Sequence, residues 1–426
     1  MRISPKQFLS GLLYAAPILL LALASCGGGG GGTTPTPTPV VAPSTAPTGL
    51  TTTTGCGAIN LNWTGVAGAT GYYVYHAASG AVATKTAVAT TSYTDAGLIA
   101  NTTYNYQVAA FNTAGEGLIS GSVSKRTGAA CPNVGGSVQG TPLTLSSSSQ
   151  VSTMAGAALF PGYVDATGVN ARFDLPANVA TDGTNLYVAD TANNVIRKIA
   201  ISTGAVTTLA GTAGTTGSSD VSPGTFWAPQ GITIVGTTLY VADTKNGLIR
   251  TISASGVVST LPSSGFSLPA AITTDGASLY VADTLNNRIV QLNMSGTTVA
   301  TVTVFSPQGI TYNSSDFNLY VTGASGISQI ANMAAPTILP SVTGLNAPQG
   351  ITTDGTNLYI ANSGDGTILK VATSGGVPVL IAGTGIQGYK DGTASAAQFR
   401  NPNGITTDGV NLYIVDTGNH TIRKIQ

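Results

Sequence analysis

The stretch Leu186–Ile199, "LYVADTANNVIRKI", returns with small changes five more times before the chain ends. Its markers are Tyr187, Tyr240, Tyr280, Tyr320, Tyr359 and Tyr413, spaced 53, 40, 40, 39 and 54 residues apart by subtraction. A period near 40 with strands inside it signals a propeller or a solenoid. Each unit reads as four strands: one like "PQGITI", one like "TLYVAD", one like "GLIRTI" and one like "VTTLAG". Asp182-Gly183, Asp275-Gly276, Asp354-Gly355 and Asp408-Gly409 mark tight turns after the first strand, because both residue types tolerate positive φ. A single four-stranded antiparallel unit cannot bury both of its faces. Six of them arranged around an axis bury one another.

The pattern P-x-G-I-x-x-D-G-x-x-L-Y-V-A-D-T-x-N-x-x-I-R-K-I resembles the NHL-repeat family, which implies a six-bladed β-propeller over about 151–426. Pro176, Pro229, Pro269, Pro307, Pro348 and Pro402 each open an innermost strand in this reading. The acidic turn invites a catalytic or metal reading of Asp190, Asp243, Asp283 and Asp416. Thr322 stands for the aspartate in blade 4 and Asn362 in blade 5, so the turn is read as structural, an aspartate capping backbone. Blade 6 has no fourth strand of its own after "TIRKI". "VSTMAG", residues 151–156, is expected to supply it from the other end of the repeat region, removing two open edges.

The N-terminus reads as an export signal, with Arg2 and Lys6 ahead of the apolar "FLSGLLYAAPILLLAL". "LASC", residues 23–26, resembles the bacterial lipobox, which implies a signal peptide over 1–25 and a lipid on Cys26. Gly27, not Asp, follows it, which in a Gram-negative cell would favour the outer membrane. A Gly/Thr/Pro tether over 26–45 follows. If Cys26 carries lipid, Cys56 and Cys131 remain as a pair in an oxidising compartment. Between them, "INLNW", "GYYVYH", "TSYTD" and "TTYNYQVAAFN" alternate apolar and polar residues, the reading for an antiparallel sandwich. Residues 46–128 resemble a fibronectin type III domain, with Trp63 as the core tryptophan and Tyr104 as the corner tyrosine. That resemblance puts Cys56 and Cys131 at one pole. A disulfide there would close a loop of 74 residues (131 − 56 − 1) and stabilise by roughly 4 kcal/mol. A linker is expected over 129–148 and the propeller over 149–426.

Charge narrows the function. Lys+Arg and Asp+Glu are 16 each, and loss of the signal leaves 14 − 16 = −2, which offers nucleic acid no basic surface. From residue 151 onward there is no Glu and no Cys, and His420 is the only His. Metal-dependent or acid/base chemistry therefore lacks its usual residues, and neither a metal, a cofactor nor a catalytic residue is assigned. Gln230, Gln308, Gln349 and Asn403 follow the blade prolines and are expected to satisfy backbone at the strand starts, with a polar ligand as the alternative. Three connections are long: 156–175, 211–228 and 383–401, before blades 1, 2 and 6, which are neighbours in a closed ring. They hold Tyr163, Arg172, Trp227, Tyr389, Lys390 and Arg400, types that anchor interfaces. Phe173, Phe226 and Phe399 are expected to plug the core, and Tyr163 and Tyr389, in a shared "GYxD", to brace their loops as well. The reading is an all-β, monomeric, lipid-anchored envelope protein that binds a protein or polysaccharide, with the sandwich as spacer or adhesive module. The alternative is an envelope hydrolase or lyase using a metal on the propeller axis.

Overall fold

The computed structural model describes residues 40–55, 58–78, 83–96, 102–126, 142–324, 326–331 and 333–426. Cys26, Cys56 and Cys131, the signal segment and most of the tether lie outside the described residues. The chain divides into Met1–Val41 and Ala42–Gln426.

Two antiparallel sheets form the first domain. One joins Thr51–Gly55, Ala58–Asn62 and Ser92–Ala96. The other joins Thr84–Val88, Gly71–Ala78, Thr103–Asn112 and Gly115–Ile119, with Val123–Arg126 also paired to Thr103–Asn112. Alternation decides what is buried: Ile59, Leu61, Val74, Tyr106 and Val108 turn inward, and Trp63 and Tyr104 close the same core.

From Gln150 the chain builds six antiparallel blades. Five are four-stranded and run from the axis outward in sequence order, and the sixth is a five-stranded sheet completed by Gln150–Ala155 and Gly392–Thr393. In blade 1 these strands are Asn178–Thr181, Asn185–Asp190, Val195–Ala200 and Val206–Ala210. Facing blades share cores; Tyr187 and Ala189 of blade 1 pack with Phe226, Ile232 and Val241 around blade 2. Phe173, Phe226 and Phe399 are fully buried plugs, as expected. The ring closes as its sequence implies. Gln150–Ala155 pairs with Thr421–Ile425 of blade 6, Val151 facing Ile425, and the short strand Gly392–Thr393 pairs on its other edge.

The glycine of P-x-G follows from crowding at the axis. A Cβ on Gly309 would lie 2.2 Å from Gln349 O, and one on Gly350 2.3 Å from Asn403 O. Neighbouring innermost strands approach too closely for any side chain there.

Three expectations need correction. In the Asp-Gly turns only the glycine takes positive φ (Gly183 +82°, Gly276 +88°). The aspartate works through its carboxylate: Asp182 accepts from Thr184 N–H, Asn185 N–H and the Tyr187 hydroxyl. The repeated tyrosine is therefore part of the turn in five blades, Tyr280, Tyr320, Tyr359 and Tyr413 bonding an aspartate as Tyr187 does. In blade 4 the position equivalent to Asp190 is Gly323 rather than Thr322, since Thr322 bonds Gly309 as Ala242 bonds Gly231. The expected linker is also not free throughout: Leu143 and Leu145 are buried in the core of blades 5 and 6, and Leu143 N–H donates to Asp354 Oδ2 at 3.0 Å.

Candidate functional site

The long loops before blades 1, 2 and 6 lie on one face, with the turns joining second to third strands. Each loop is held by one buried arginine from the third strand of its blade. Arg197, Arg250 and Arg423 are fully buried and bridge two carboxylates each. One is the turn aspartate: Asp190 at 2.9 Å, Asp243 at 2.8 Å and Asp416 at 2.7 Å. The other comes from the loop: Asp165, Asp220 and Asp391, each at 2.6 Å. The loop aspartate then reaches the outermost strand, accepting the backbone N–H of Thr208, Thr260 or Thr153. In the last case that strand is the one closing the ring. A charge buried so deeply is tolerable only when paired, and its loss leaves the partner uncompensated. Arg197 uses its Nε as well, toward Asp165, while Nε of Arg250 and of Arg423 has no hydrogen-bond partner among the described residues. Burial pushes the Asp190 and Asp416 carboxyls up, to about 6, against the donors around them.

Aromatic rings cover the guanidinium groups. Arg197 lies 5.0 Å from the centroids of both Tyr163 and Phe173, and Arg423 lies 5.0 Å from Tyr389 and Phe399. The tyrosine hydroxyls contact Thr208 and Thr153, both at 2.8 Å. Tyr163 and Tyr389 therefore brace their loops. Arg172 folds onto Val169 O and Ala171 O, and Lys390 pairs through backbone with Gln398. The backbone N–H groups of Trp227 and Arg400 donate to Asp243 and Asp416, so the two positions are equivalent. Trp227 is 44% exposed, with Lys245 Nζ 5.7 Å from its ring. The same loops expose Leu159, Phe160 and Ile386, with Phe160 at 67%. The sequence reading passed over these and over the arginines. Their signal was present, because Arg recurs at that third-strand position only in the three blades that follow long loops, against Val290, Ser328 and Leu369 elsewhere.

The axis has a different chemistry. Val179, Ile232, Ile272, Ile310, Ile351 and Ile405, one per blade, line a cavity of about 30 Å³. Above it, Gln230, Gln308, Gln349 and Asn403 meet around a mouth of about 20 Å³. Neither cavity is lined by an ionisable side chain. Among the described residues, no three His, Cys, Asp or Glu side chains cluster as a metal site would need. The expected backbone role of the amides holds for Gln308, which reaches Ser306 O and Oγ at 3.4 and 3.2 Å. Among the described residues no hydrogen bond engages the side chains of Gln230, Gln349 or Asn403. His420 stands in for an asparagine: it takes φ +57°, as Asn194 takes +58°, and its Nδ1 accepts Leu175 N–H at 3.0 Å as Asn194 Oδ1 accepts Ala228 N–H. Burial lowers its pKa, which keeps that nitrogen free to accept.

Residues 45–126 match the fibronectin type III domain family. The chain is 41% identical to human NHL repeat-containing protein 2 over 108 residues, 24% of this chain and 15% of that protein. It is 49% identical to the poly(3-hydroxybutyrate) depolymerase of Ralstonia pickettii over 84 residues, 19% of this chain and 16% of that enzyme. It thus spans about a sixth of the length of these curated relatives. Among solved structures, an auxiliary nutrient binding protein of Bacteroides ovatus aligns over 87% of this chain and 94% of its own, at 15% identity and TM-score 0.53. That likeness shows the fold. Matches and geometry together define the class: a fibronectin type III sandwich followed by a six-bladed propeller with NHL-repeat relatives.

Proposed function

We propose that this chain is an exported binding protein, lipid-anchored through Cys26 in the cell envelope, whose crescent of pinned loops docks a protein or polysaccharide. The sandwich domain, closed by a Cys56–Cys131 disulfide, serves as spacer or adhesive module. The observation that carries the reading is the concentration of exposed Leu159, Phe160, Trp227 and Ile386 on three loops, each tied from beneath to a buried arginine. Apolar groups displayed this way on a fixed frame are a surface for partners, and prior rigidity lowers the entropy cost of docking. The reading includes no catalysis: the axial cavities, where an enzyme of this shape would place its chemistry, are lined by aliphatic, glycine, threonine and amide residues.

The test is capture from envelope extract by the immobilised chain and by Trp227→Ala. The variant should lose about 1–2 kcal/mol of binding to the captured partner and melt with the parent. Equal affinity, or a Trp227→Ala protein that has lost several degrees of melting temperature, would remove Trp227 from the interface.

A further inference from the structure

On the same face, away from the long loops, a cleft of about 470 Å³ opens between blades 4 and 5. Its origin is local. Blade 4 joins its second and third strands without the short helical turn that follows the aspartate in blades 2, 3 and 6, since Gly323 ends one strand and Gly326 begins the next. Elsewhere that turn also latches neighbours: the threonine after the aspartate donates to the next blade's proline carbonyl, as Thr244 does to Pro269 O at 2.8 Å. Blade 4 keeps a latch by another route, because the Thr322 hydroxyl donates to Gln349 O. The ring stays joined where the turn is missing, and space is left above the joint.

The lining of that space is specific in kind. Ser306, Gln308, Thr343 and Gln349 supply hydroxyl and amide groups, Val342 and Leu345 an apolar wall, and among the described residues none of the lining side chains is ionisable. Its volume lies within the range of small-molecule sites, roughly 300–1,000 Å³. Gln308 and Gln349 also belong to the axial mouth, so the cleft continues into the collar that holds Gln230 and Asn403. Three of those four amides are half-buried with no protein partner among the described residues. An amide both donates and accepts, which matches a vicinal hydroxyl pair. A charged ligand would be desolvated there with nothing to pair it.

We propose that this cleft and its amide collar bind a neutral, polyhydroxylated small molecule of the mono- or disaccharide class. The site is independent of the crescent. The experiment is saturation-transfer NMR on the purified chain with cellobiose, maltose, lactose and glucose, and with gluconate and glucosamine as charged counterparts, each at about 10 mM, where a millimolar Kd still registers. The proposal predicts transfer to at least one neutral sugar. Gln349→Leu and Gln308→Leu should each weaken that binding about tenfold, while Trp227→Ala leaves it unchanged. Gln349→Glu, closer in shape, should weaken it too, and all variants are checked by melting temperature. Transfer to none of the neutral sugars, equal transfer to the charged pair, or full affinity in folded Gln308 and Gln349 variants would each overturn it. Loss of sugar binding in Trp227→Ala would instead relocate the site to the crescent.

Discussion

At the scale of single residues, the buried arginines carry most of the local logic, and the chain contains its own control. Blade 5 has Asn362 where blade 2 has Asp243, and Leu369 where blade 2 has Arg250. Arg250→Leu alone strands a buried carboxylate and should cost about 3–5 kcal/mol in denaturant unfolding. Adding Asp243→Asn recreates the blade 5 pair and should recover most of that loss. Asp220 would still have lost its partner, so the loop 211–228 should become sensitive to limited proteolysis. Stability that does not recover in the double variant would contradict the pairing account. His420 gives a pH test. Burial lowers its folded-state pKa, with Asp174 opposing and Arg400 assisting. The unfolded chain therefore takes up a proton first as pH falls below about 6.5, and stability is full above that value and declines beneath it. His420→Asn keeps both the left-handed backbone and the acceptor, so its melting temperature should fall less than the parent's between about pH 7.5 and 5.5. Equal declines would show that other groups carry the dependence.

At the scale of elements, the blades were legible because period, turn and strand agree. Six tyrosines mark the second strands, six prolines the first, and Val151–Gly156 matches Val206–Gly211 closely enough to identify the closing strand. Deleting residues 149–156 should therefore open blade 6, strip Asp391 of Thr153, and lower the melting temperature by about 10 °C or more. A deletion that melts like the parent would refute the closure. What was not legible lay in contacts that cross the period. Asp165 and Arg197 are 32 residues apart, and no spacing rule relates a loop carboxylate to a third-strand arginine. Leu143 and Leu145 sit in a Gly/Ser-rich connector whose composition suggests a linker, and only tertiary burial shows that they belong to the propeller. The sequence suggests backbone capping for the turn aspartates, and Asp190, Asp243 and Asp416 do accept the backbone N–H of Asp174, Trp227 and Arg400. Their ion pairs needed the third strand beside them.

At the scale of the whole molecule, the chain presents one face in two chemistries: an apolar crescent on blades 6, 1 and 2, and a neutral polar cleft between blades 4 and 5. The sequence located the crescent by loop length and proposed six anchors, of which the structure turns Tyr163 and Tyr389 to bracing and leaves Trp227 exposed. It could not show Phe160 or Leu159 as exposed, since an apolar residue in a long loop reads equally as a plug, as Phe173 is. Anchoring has its own test: palmitate labelling should depend on Cys26 and vanish in Cys26→Ser, and labelling that persists would place the lipid elsewhere or remove it. The central claim, that the pinned crescent is the docking surface, is met most directly by hydrogen exchange of the chain with and without the partner captured from envelope extract. The account predicts added protection concentrated in 156–175, 211–228 and 383–401, with blades 3 to 5 and the sandwich unchanged. Protection confined to the sandwich or to blades 3 to 5, with those three loops exchanging as in the free chain, would contradict it.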